Sequence, residues 1–389
     1  MKIIAFSAHD YFSSSSPMTS RLRAYMKALL FAGVEAEVFM ISSNSRPDGV
    51  FEGVPFRYEI MQSSRRHVYA FRKELASIFA QKAQECDLIF TSEDTSSMIT
   101  ELCHAVHSVK GKIVIELNEN PYTIISSRKD FRIVNYLKRF YFIYFTLKKV
   151  DGVITISRAL HDLALKHVRN GVPVERIPIL SHVKSVLPDQ SPLPESKFIL
   201  HAGSLSEQKD GIKAMIKSFH LANSRLNDKL KLVFTSTTAF PSLIKWITLF
   251  IEKNGLENNV IFTGYLEEQI LKKYLDNAAL AIINKPKNSQ NMFNFPTKLT
   301  DLLPRGVPCI ISKTGELNNF FTDRVNAYMV EPDSWQEIAE KIVEIVNNPE
   351  IARKVGQRGM ELCEREFYYE NHANSLMKFY SQILKGGYA

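Results

Sequence analysis

The residues best suited to chemistry lie in one short segment, residues 294–308, which reads N-F-P-T-K-L-T-D-L-L-P-R-G-V-P. Pro296 predicts the first position of a helix, where its missing N–H would have no partner anyway. The free N–H groups after it, with the positive end of the helix dipole, form a site for anions. Thr297 adds a hydroxyl donor, Lys298 a cation, and Asp301 a carboxylate on the same helical face. The segment therefore predicts a nucleotide-sugar site, with a diphosphate at the helix tip and a ribose diol beside it.

Two further loops in the same half of the chain have suitable residues. Gly203 and Ser204 follow a predicted strand and Lys209 precedes the next helix, as in a loop that approaches a phosphate. By itself Lys209 is also an ordinary solvated loop lysine. After another predicted strand, Gly264 would let the backbone approach a base edge, and Tyr265 could stack on it. A turn glycine and a rim tyrosine remain the alternative for this pair.

The elements that position these residues alternate along the whole chain, which indicates parallel α/β layers. We predict strands in the first half at residues 2–7, 37–41, 87–91, 112–116, 152–156 and 176–180, with helices at 19–32, 70–84, 97–109 and 158–168. In the second half we predict strands at 198–202, 230–235, 260–263, 280–283, 308–312 and 327–330, with helices at 211–222, 243–253, 267–277, 297–303, 334–346, 350–366 and 371–384.

This pattern predicts two doubly wound domains, with ligands at the carboxyl ends of the strands. The first covers residues 1–186, a proline-rich linker covers 187–197, and the second covers 198–370. Residues 371–389 form a last helix, which we expect to return to the first domain.

The composition fits a globular protein of two domains: 389 residues, 45% hydrophobic and 23% charged. No apolar run is long enough to cross a bilayer, and the N-terminus begins directly with a strand-like run rather than a signal peptide. The four cysteines are scattered, which argues against a zinc or disulfide framework and for a reducing cytoplasm. The net charge is +8, and most of the basic excess lies in the first half.

The chain resembles family 4 glycosyltransferases, which have the GT-B fold of two Rossmann-like domains facing a central cleft. In the second half the matching segments are H-A-G-S-L from His201 with Lys209, V-I-F-T-G from Val260, the block at 295–308, and A-Y-M-V from Ala327. In the first half they are the strand at 2–7, the loop at 13–21, I-E-L-N-E-N-P from Ile115, and D-G-V-I-T-I-S from Asp151. The resemblance covers nearly the whole chain, and the block at 295–308 is its most specific part.

The resemblance implies donor contacts residue by residue. The family has two glutamates separated by seven residues, and the second holds the ribose hydroxyls; here Asp301 takes the second place and Phe293 the first. Asn294 and the backbone N–H groups from Phe295 onward would then bond the sugar hydroxyls. The family's phosphate-binding arginine is replaced by Ser204, and we expect Lys298 to restore the lost charge beside Lys209. The donor site would comprise Gly203, Ser204, Lys209, Gly264, Tyr265, Asn294, Phe295, Thr297, Lys298 and Asp301.

For the acceptor side the resemblance points to Ser16 and Arg21, in and after the loop at 13–21, and to Asn118 and Glu119 after a strand. Glu119 is the candidate catalytic group, with Lys209 and Asp301 acting on the donor. An ordinary loop glutamate is the alternative for Glu119. Arg21 could pair with a phosphate or be a charge on a helix surface.

A basic and aromatic segment, residues 128–149, has its own alternatives. Its basic residues are Arg128, Lys129, Arg132, Lys138, Arg139, Lys148 and Lys149, and its aromatic residues are Phe131, Tyr136, Phe140, Tyr141, Phe142, Tyr144 and Phe145. Such a helix can lie in the headgroup layer of an anionic membrane. The other interpretation is a core helix whose aromatic residues pack inward while the lysines stay solvated. Nucleic-acid binding lacks any accompanying motif.

The sequence thus predicts a hexosyltransferase-like glycosyltransferase that moves a sugar from a nucleotide diphosphate to a hydroxyl of a growing glycan or a lipid-linked acceptor. The resemblance implies retention at the anomeric carbon, no metal and no other cofactor. The chain also lacks an Asp-x-Asp pair that could chelate Mg²⁺ with a diphosphate. We expect a cytoplasmic protein, peripheral on the membrane. Two alternatives stay open, a non-catalytic relative or partner subunit, suggested by Phe293, and a sugar-nucleotide epimerase on the same fold.

Overall fold

The computed structural model describes residues 1–7, 17–63, 68–92, 96–121, 132–186, 197–237 and 239–386. Within helices, the side chains of residues 17, 96–98, 132–135 and 138 are outside this description. The chain divides into two compact units, Met1–His182 with Tyr369–Ala389, and Val183–Tyr368. The sequence predicts the end of the first domain at residue 186 and that of the second at residue 370.

The first unit is built on an eight-stranded sheet with the order β3-β4-β2-β1-β5-β6-β7-β8. Its strands are β1 (Lys2–Ser7), β2 (Glu35–Ser42), β3 (Gly49–Phe51), β4 (Val54–Ile60), β5 (Leu88–Thr91), β6 (Ile113–Leu117), β7 (Gly152–Thr155) and β8 (Val174–Arg176). All neighbouring pairs are parallel except β3 with β4. The central strands are buried along their length, as expected for a parallel sheet covered on both faces.

Helices of the first unit come from both ends of the chain. They are α1 (Pro17–Phe31), α2 (Val68–Glu85), α3 (Ser96–Ser108), α4 (Arg132–Tyr141), which continues as a π-helical turn (Phe142–Thr146), α5 (Arg158–His167) and the last helix, α13 (Ala373–Lys385). Leu376, Phe379 and Ile383 of α13 are buried in the same core as α1 and β1. The C-terminal segment is therefore an integral part of the first unit.

The second unit has a six-stranded parallel sheet with the order β11-β10-β9-β12-β13-β14. Its strands are β9 (Phe198–His201), β10 (Lys231–Phe234), β11 (Val260–Phe262), β12 (Leu280–Ile283), β13 (Cys309–Ser312) and β14 (Tyr328–Val330). Its helices are α6 (Glu207–Asp210), α7 (Ile212–Arg225), α8 (Pro241–Asn254), α9 (Glu268–Asn277), α10 (Leu299–Leu302), α11 (Trp335–Asn347) and α12 (Pro349–Leu362). The strand order reverses between β9 and β12, where α/β sheets of this kind bind ligands.

The predicted fold class is confirmed, with local corrections. The β3–β4 hairpin is missing from the prediction, although apolar residues recur at every second position of β4, from Val54 to Ile60. The strand expected at 176–180 lies at Val174–Arg176 instead. Within the described residues, no helix is both long enough and apolar enough to span a bilayer.

Candidate functional site

The turn after β9 is shaped by a glycine. Gly203 has φ +108°, a conformation that L side chains rarely adopt, and its N–H donates to Thr235 Oγ1 at 2.9 Å at the end of β10. A Cβ at this position would lie 3.0 Å from Lys298 Cε. Gly203 therefore lets the backbone pass directly over the Lys298 side chain.

Four titratable side chains meet beneath this turn. Lys298 Nζ lies 3.2 Å from Asp210 Oδ1 and 3.2 Å from His201 Nε2. Lys285 Nζ donates to the same Asp210 oxygen and to the Lys209 carbonyl oxygen, both at 3.1 Å. Asp210 and His201 are buried, and both lysines are largely so. We call these four residues the lysine–aspartate cluster.

The charges of this cluster do not cancel. Burial holds the pKa of His201 down at about 3, with Lys298 adding to the effect, so its ring is neutral at pH 7. The two lysines outweigh burial and hold the Asp210 pKa well below its usual range, so it is ionised. Burial lowers the pKa of Lys298 to about 8, against the opposing effect of Asp210. One carboxylate thus faces two ammonium groups, and Lys209 lies close enough to add to the positive field at Lys298.

The predicted anion site at a helix tip needs correction. Pro296 is outside the helix: α10 begins at Leu299 and has four residues, followed by a 3₁₀ turn at Leu303–Arg305. The N–H groups of Leu299, Thr300 and Asp301 donate to the carbonyls of residues 296–298 at 3.0–3.2 Å. So short a helix has a weak dipole, and the positive charge of the site comes from side chains instead.

The loop between β12 and α10 contributes amides. Gln290 Nε2, Asn291 Oδ1 and Asn294 Oδ1 are buried without a hydrogen-bond partner among the described residues. Such atoms are costly unless another molecule bonds to them. Asn294 was expected to bond sugar hydroxyls, and its lone oxygen is consistent with that prediction. The Phe295 side chain lies in the core, with its ring centroid 5.2 Å from that of Phe367, and the donor contact of its backbone N–H stays a prediction.

The remaining predicted donor residues lie around this centre. Ser204 is exposed, and Thr297 and Asp301 are half-buried. The Asp301 carbonyl accepts from Arg305 Nη1 at 2.5 Å. Gly264 has φ +75° and Tyr265 keeps 72% of its surface exposed, so its ring face is available for stacking. They follow β11, at the edge of the sheet and two strands from β9. The structure therefore brings Lys209 close to Lys298, whereas Gly264 and Tyr265 lie two strands away at the carboxyl ends of the same sheet.

On the first unit, Arg21 is not a charge on a helix surface. It is buried, and its Nε donates to the buried Glu116 Oε2 at 3.2 Å. Asn118 Nδ2 donates to the same oxygen at 3.3 Å, and Glu119 is the next residue along, partly exposed. Ser16 lies outside the described residues. The acceptor roles of these residues stay predictions.

Sequence reasoning missed three members of the lysine–aspartate cluster, namely His201, Asp210 and Lys285. Lys285 follows β12, the strand next to β9, so the end of that strand was the available signal. A further missed residue is Glu316, which is buried after β13. Its neighbour Gly315 approaches the backbone oxygens of Asn291 and Met292 so closely that a Cβ would lie about 3 Å from them. Among the described residues, no group of three or more His, Cys, Asp or Glu side chains converges as metal ligands would.

The second unit is similar to a known protein family. Residues 184–362 match the family described as glycosyl transferases group 1. An uncharacterized glycosyltransferase of Methanocaldococcus jannaschii is 22% identical over 250 residues, which span 64% of each chain. N-acetyl-alpha-D-glucosaminyl L-malate synthase of Bacillus anthracis is 20% identical over 283 residues, 70% of this chain and 68% of that protein. The matches thus span about two thirds of each relative.

Solved structures match over nearly the whole chain. HepE of Anabaena, in complex with UDP and glucose, has a TM-score of 0.71 at 17% identity, covering 98% of this chain and 99% of that one. Sucrose-phosphate synthase of Thermosynechococcus elongatus has the same TM-score, identity and coverage. At such identities the likeness defines the fold.

Proposed function

We propose that this chain, whose residues 184–362 match the group 1 glycosyltransferases and whose fold is GT-B, transfers a sugar from a nucleoside diphosphate sugar to an acceptor hydroxyl. The observation that carries the proposal is the lysine–aspartate cluster. Lys285 and Lys298 share one carboxylate oxygen, so the cluster holds an uncompensated positive charge in a largely buried place. An isolated buried charge is costly, and an anion bound at the Gly203 turn would offset it.

In this proposal the diphosphate of the donor lies at the turn between Gly203 and Lys209. The developing charge of the leaving diphosphate is stabilised by Lys298 and Lys209, which is electrostatic catalysis by groups already in position. Asp301 accepts hydrogen bonds from the ribose hydroxyls. The amide oxygens of Asn291 and Asn294, which lack partners among the described residues, accept hydrogen bonds from the sugar hydroxyls, in the place of the family's glutamate that Phe293 replaces.

The finer features of the reaction are part of the same proposal. The transfer proceeds with retention at the anomeric carbon, without a metal or another cofactor. Glu119 is the catalytic group that acts on the acceptor hydroxyl. The acceptor is a growing glycan or a lipid-linked sugar, as in polysaccharide biosynthesis. HepE bound to UDP and glucose supports a uridine nucleotide as the first donor to try.

The test is a panel of nucleoside diphosphates and their sugars, with binding measured by calorimetry and slow hydrolysis of each sugar by chromatography. Binding of one nucleoside diphosphate sugar with its slow hydrolysis supports transfer. Binding without hydrolysis, in the presence of crude lipid and glycan acceptors, would favour the non-catalytic relative that Phe293 suggests. Interconversion of donors would favour an epimerase, and the absence of any binding would reject the donor site.

A further inference from the structure

An exposed aromatic face lies on α4 and the π-helical turn that continues it. Its exposed members come in pairs four residues apart: Tyr136 and Leu137, Phe140 and Tyr141, Tyr144 and Phe145, with 38–58% of each residue exposed. Phe142 and Ile143, between the last two pairs, are buried, and so are Thr146 and Leu147, which follow the last pair. A surface helix normally turns its polar side to water, whereas this one has apolar side chains on both its buried and its exposed sides.

The exposed rings form one ordered surface. Phe140 and Tyr144 have ring centroids 4.4 Å apart, and Tyr141 and Phe145 stack at 5.1 Å with their planes 20° apart. Tyr144 meets the His167 ring of α5 edge-on at 5.0 Å. The interpretation of residues 128–149 as a core helix with inward aromatic residues is therefore wrong for these rings.

This face is surrounded by positive charge. Residues 136–149 contain four lysines and arginines and no aspartate or glutamate. Lys148 and Lys166 are exposed, and both act on His167, whose pKa is lowered by burial and then by these two lysines. Lys148, which follows the π-helical turn, and Lys166 of α5 thus both lie near the Tyr144 end of the aromatic face.

From this combination we infer that the aromatic face, residues 136–145, docks on the surface of an anionic lipid bilayer. Tyrosine rings suit the boundary between acyl chains and headgroups because they have an apolar body and a polar tip. Lysines beside them reach the phosphates of the headgroups, and each contributes to binding on a negatively charged leaflet. An apolar patch alone would equally suit a second copy of the chain, but the positive charges of Lys148 and Lys166 would repel their own image. This surface belongs to the first unit, and the residues of the proposed donor site belong to the second.

The experiment is co-sedimentation of the full chain with vesicles of phosphatidylcholine, with and without phosphatidylglycerol. We expect binding only to the anionic vesicles, weakened by added salt because the charge interaction is screened. Tyr141→Ser with Phe145→Ser removes one stacked pair, and Lys148→Glu with Lys166→Glu reverses the charge. Each double variant should weaken partitioning roughly tenfold or more.

Matched controls exist on α8 of the second unit, where Ile244 and Leu249 are 43% and 56% exposed. Ile244→Ser with Leu249→Ser, and Lys245→Glu with Lys253→Glu, should bind vesicles as the unaltered chain does. Nucleoside diphosphate binding without vesicles, measured on the same preparations, should be unchanged in all variants, which separates this inference from the proposed function.

Three results would overturn the inference. The first is equal binding to neutral and anionic vesicles, and the second is unaltered vesicle binding by both the double serine variant and the double glutamate variant. The third is self-association of the chain that disappears in Tyr141→Ser with Phe145→Ser. If the serine variant does not fold, the exposed lysine pair decides, since reversing it leaves the packed rings in place.

Discussion

Lys298 and Asp210 form an ion pair across 88 positions of sequence, with Nζ 3.2 Å from Oδ1, and the same oxygen also accepts from Lys285. Because one carboxylate serves two ammonium groups, neither lysine is fully neutralised. The Gly203 turn passes directly over Lys298. This arrangement gives the proposed phosphate site its charge and leads to most of the predictions below.

Lys298→Ala should weaken binding of the nucleoside diphosphate at least as much as Lys209→Ala does. A hydrogen bond to a charged group contributes about 1.5–3 kcal/mol, so we expect a loss of roughly ten- to a hundredfold. Calorimetry on the folded variants measures it. Lys313→Ala is the control, because Lys313 is an exposed lysine of the same unit that pairs with Glu331. An unchanged affinity in Lys298→Ala would remove Lys298 from the donor site.

Donor affinity should fall as pH rises through about 8. The pKa of Lys298 in the free protein is about 8, below its usual 10.5, and a bound diphosphate favours the charged form. Binding above pH 8 should therefore take up a proton, which calorimetry in buffers of different ionisation enthalpy detects. The phosphate group itself is already ionised there, since its last pKa is about 6. The pH dependence should disappear in Lys298→Met; if it persists, another group is responsible.

The same shift has the opposite sign for the stability of the free protein. Between pH 8 and 10.5 the unfolded chain binds more protons at Lys298 than the folded one, so stability from this group rises with pH in that window. Urea unfolding should therefore show that, between pH 8 and 10.5, the unfolding free energy of the original chain rises with pH relative to that of Lys298→Met.

Gly203→Ala should weaken both the fold and the donor site. The new methyl group would lie 3.0 Å from Lys298 Cε, at a φ of +108° that alanine disfavours, so we expect a loss of about 1–3 kcal/mol in unfolding free energy. Gly255→Ala is the matched control: Gly255 also has positive φ, but nothing lies within 4 Å of a Cβ there. It should cost about 1 kcal/mol and leave donor affinity unchanged. Equal effects of the two variants on affinity would contradict the close approach of the turn to Lys298.

Asp301→Asn should discriminate between ligands. If Asp301 holds the ribose, the variant weakens a nucleoside diphosphate about tenfold or more and leaves inorganic pyrophosphate unaffected, because only the former has a diol. Competition binding with the two ligands gives the ratio directly. A parallel loss for both ligands would place Asp301 near the phosphates instead.

Glu119→Gln should reduce turnover of the donor that binds, with little change in its affinity, because the proposed role of Glu119 concerns the acceptor hydroxyl. The expected reduction is roughly a hundredfold, the usual contribution of a positioned acid or base. Glu175→Gln serves as a control on the same unit, at β8. Reduced donor affinity in Glu119→Gln with normal turnover would contradict this role.

The sequence by itself determined the two-unit α/β architecture, because strands and helices alternate with clear patterns of apolar residues and each parallel strand is buried between helices. It also singled out Gly203 and Lys209, which follow a predicted strand, and Lys298 and Asp301, which follow Pro296 in the segment that most resembles the glycosyltransferase family. The tertiary structure decided what unites them. Asp210, Lys285 and His201 come from three separate segments, and only the order of β9 and β12 in the sheet brings them to Lys298. Likewise, the periodicity of residues 136–145 could not say which side faces water, because burial depends on what packs against a helix and not on its own sequence.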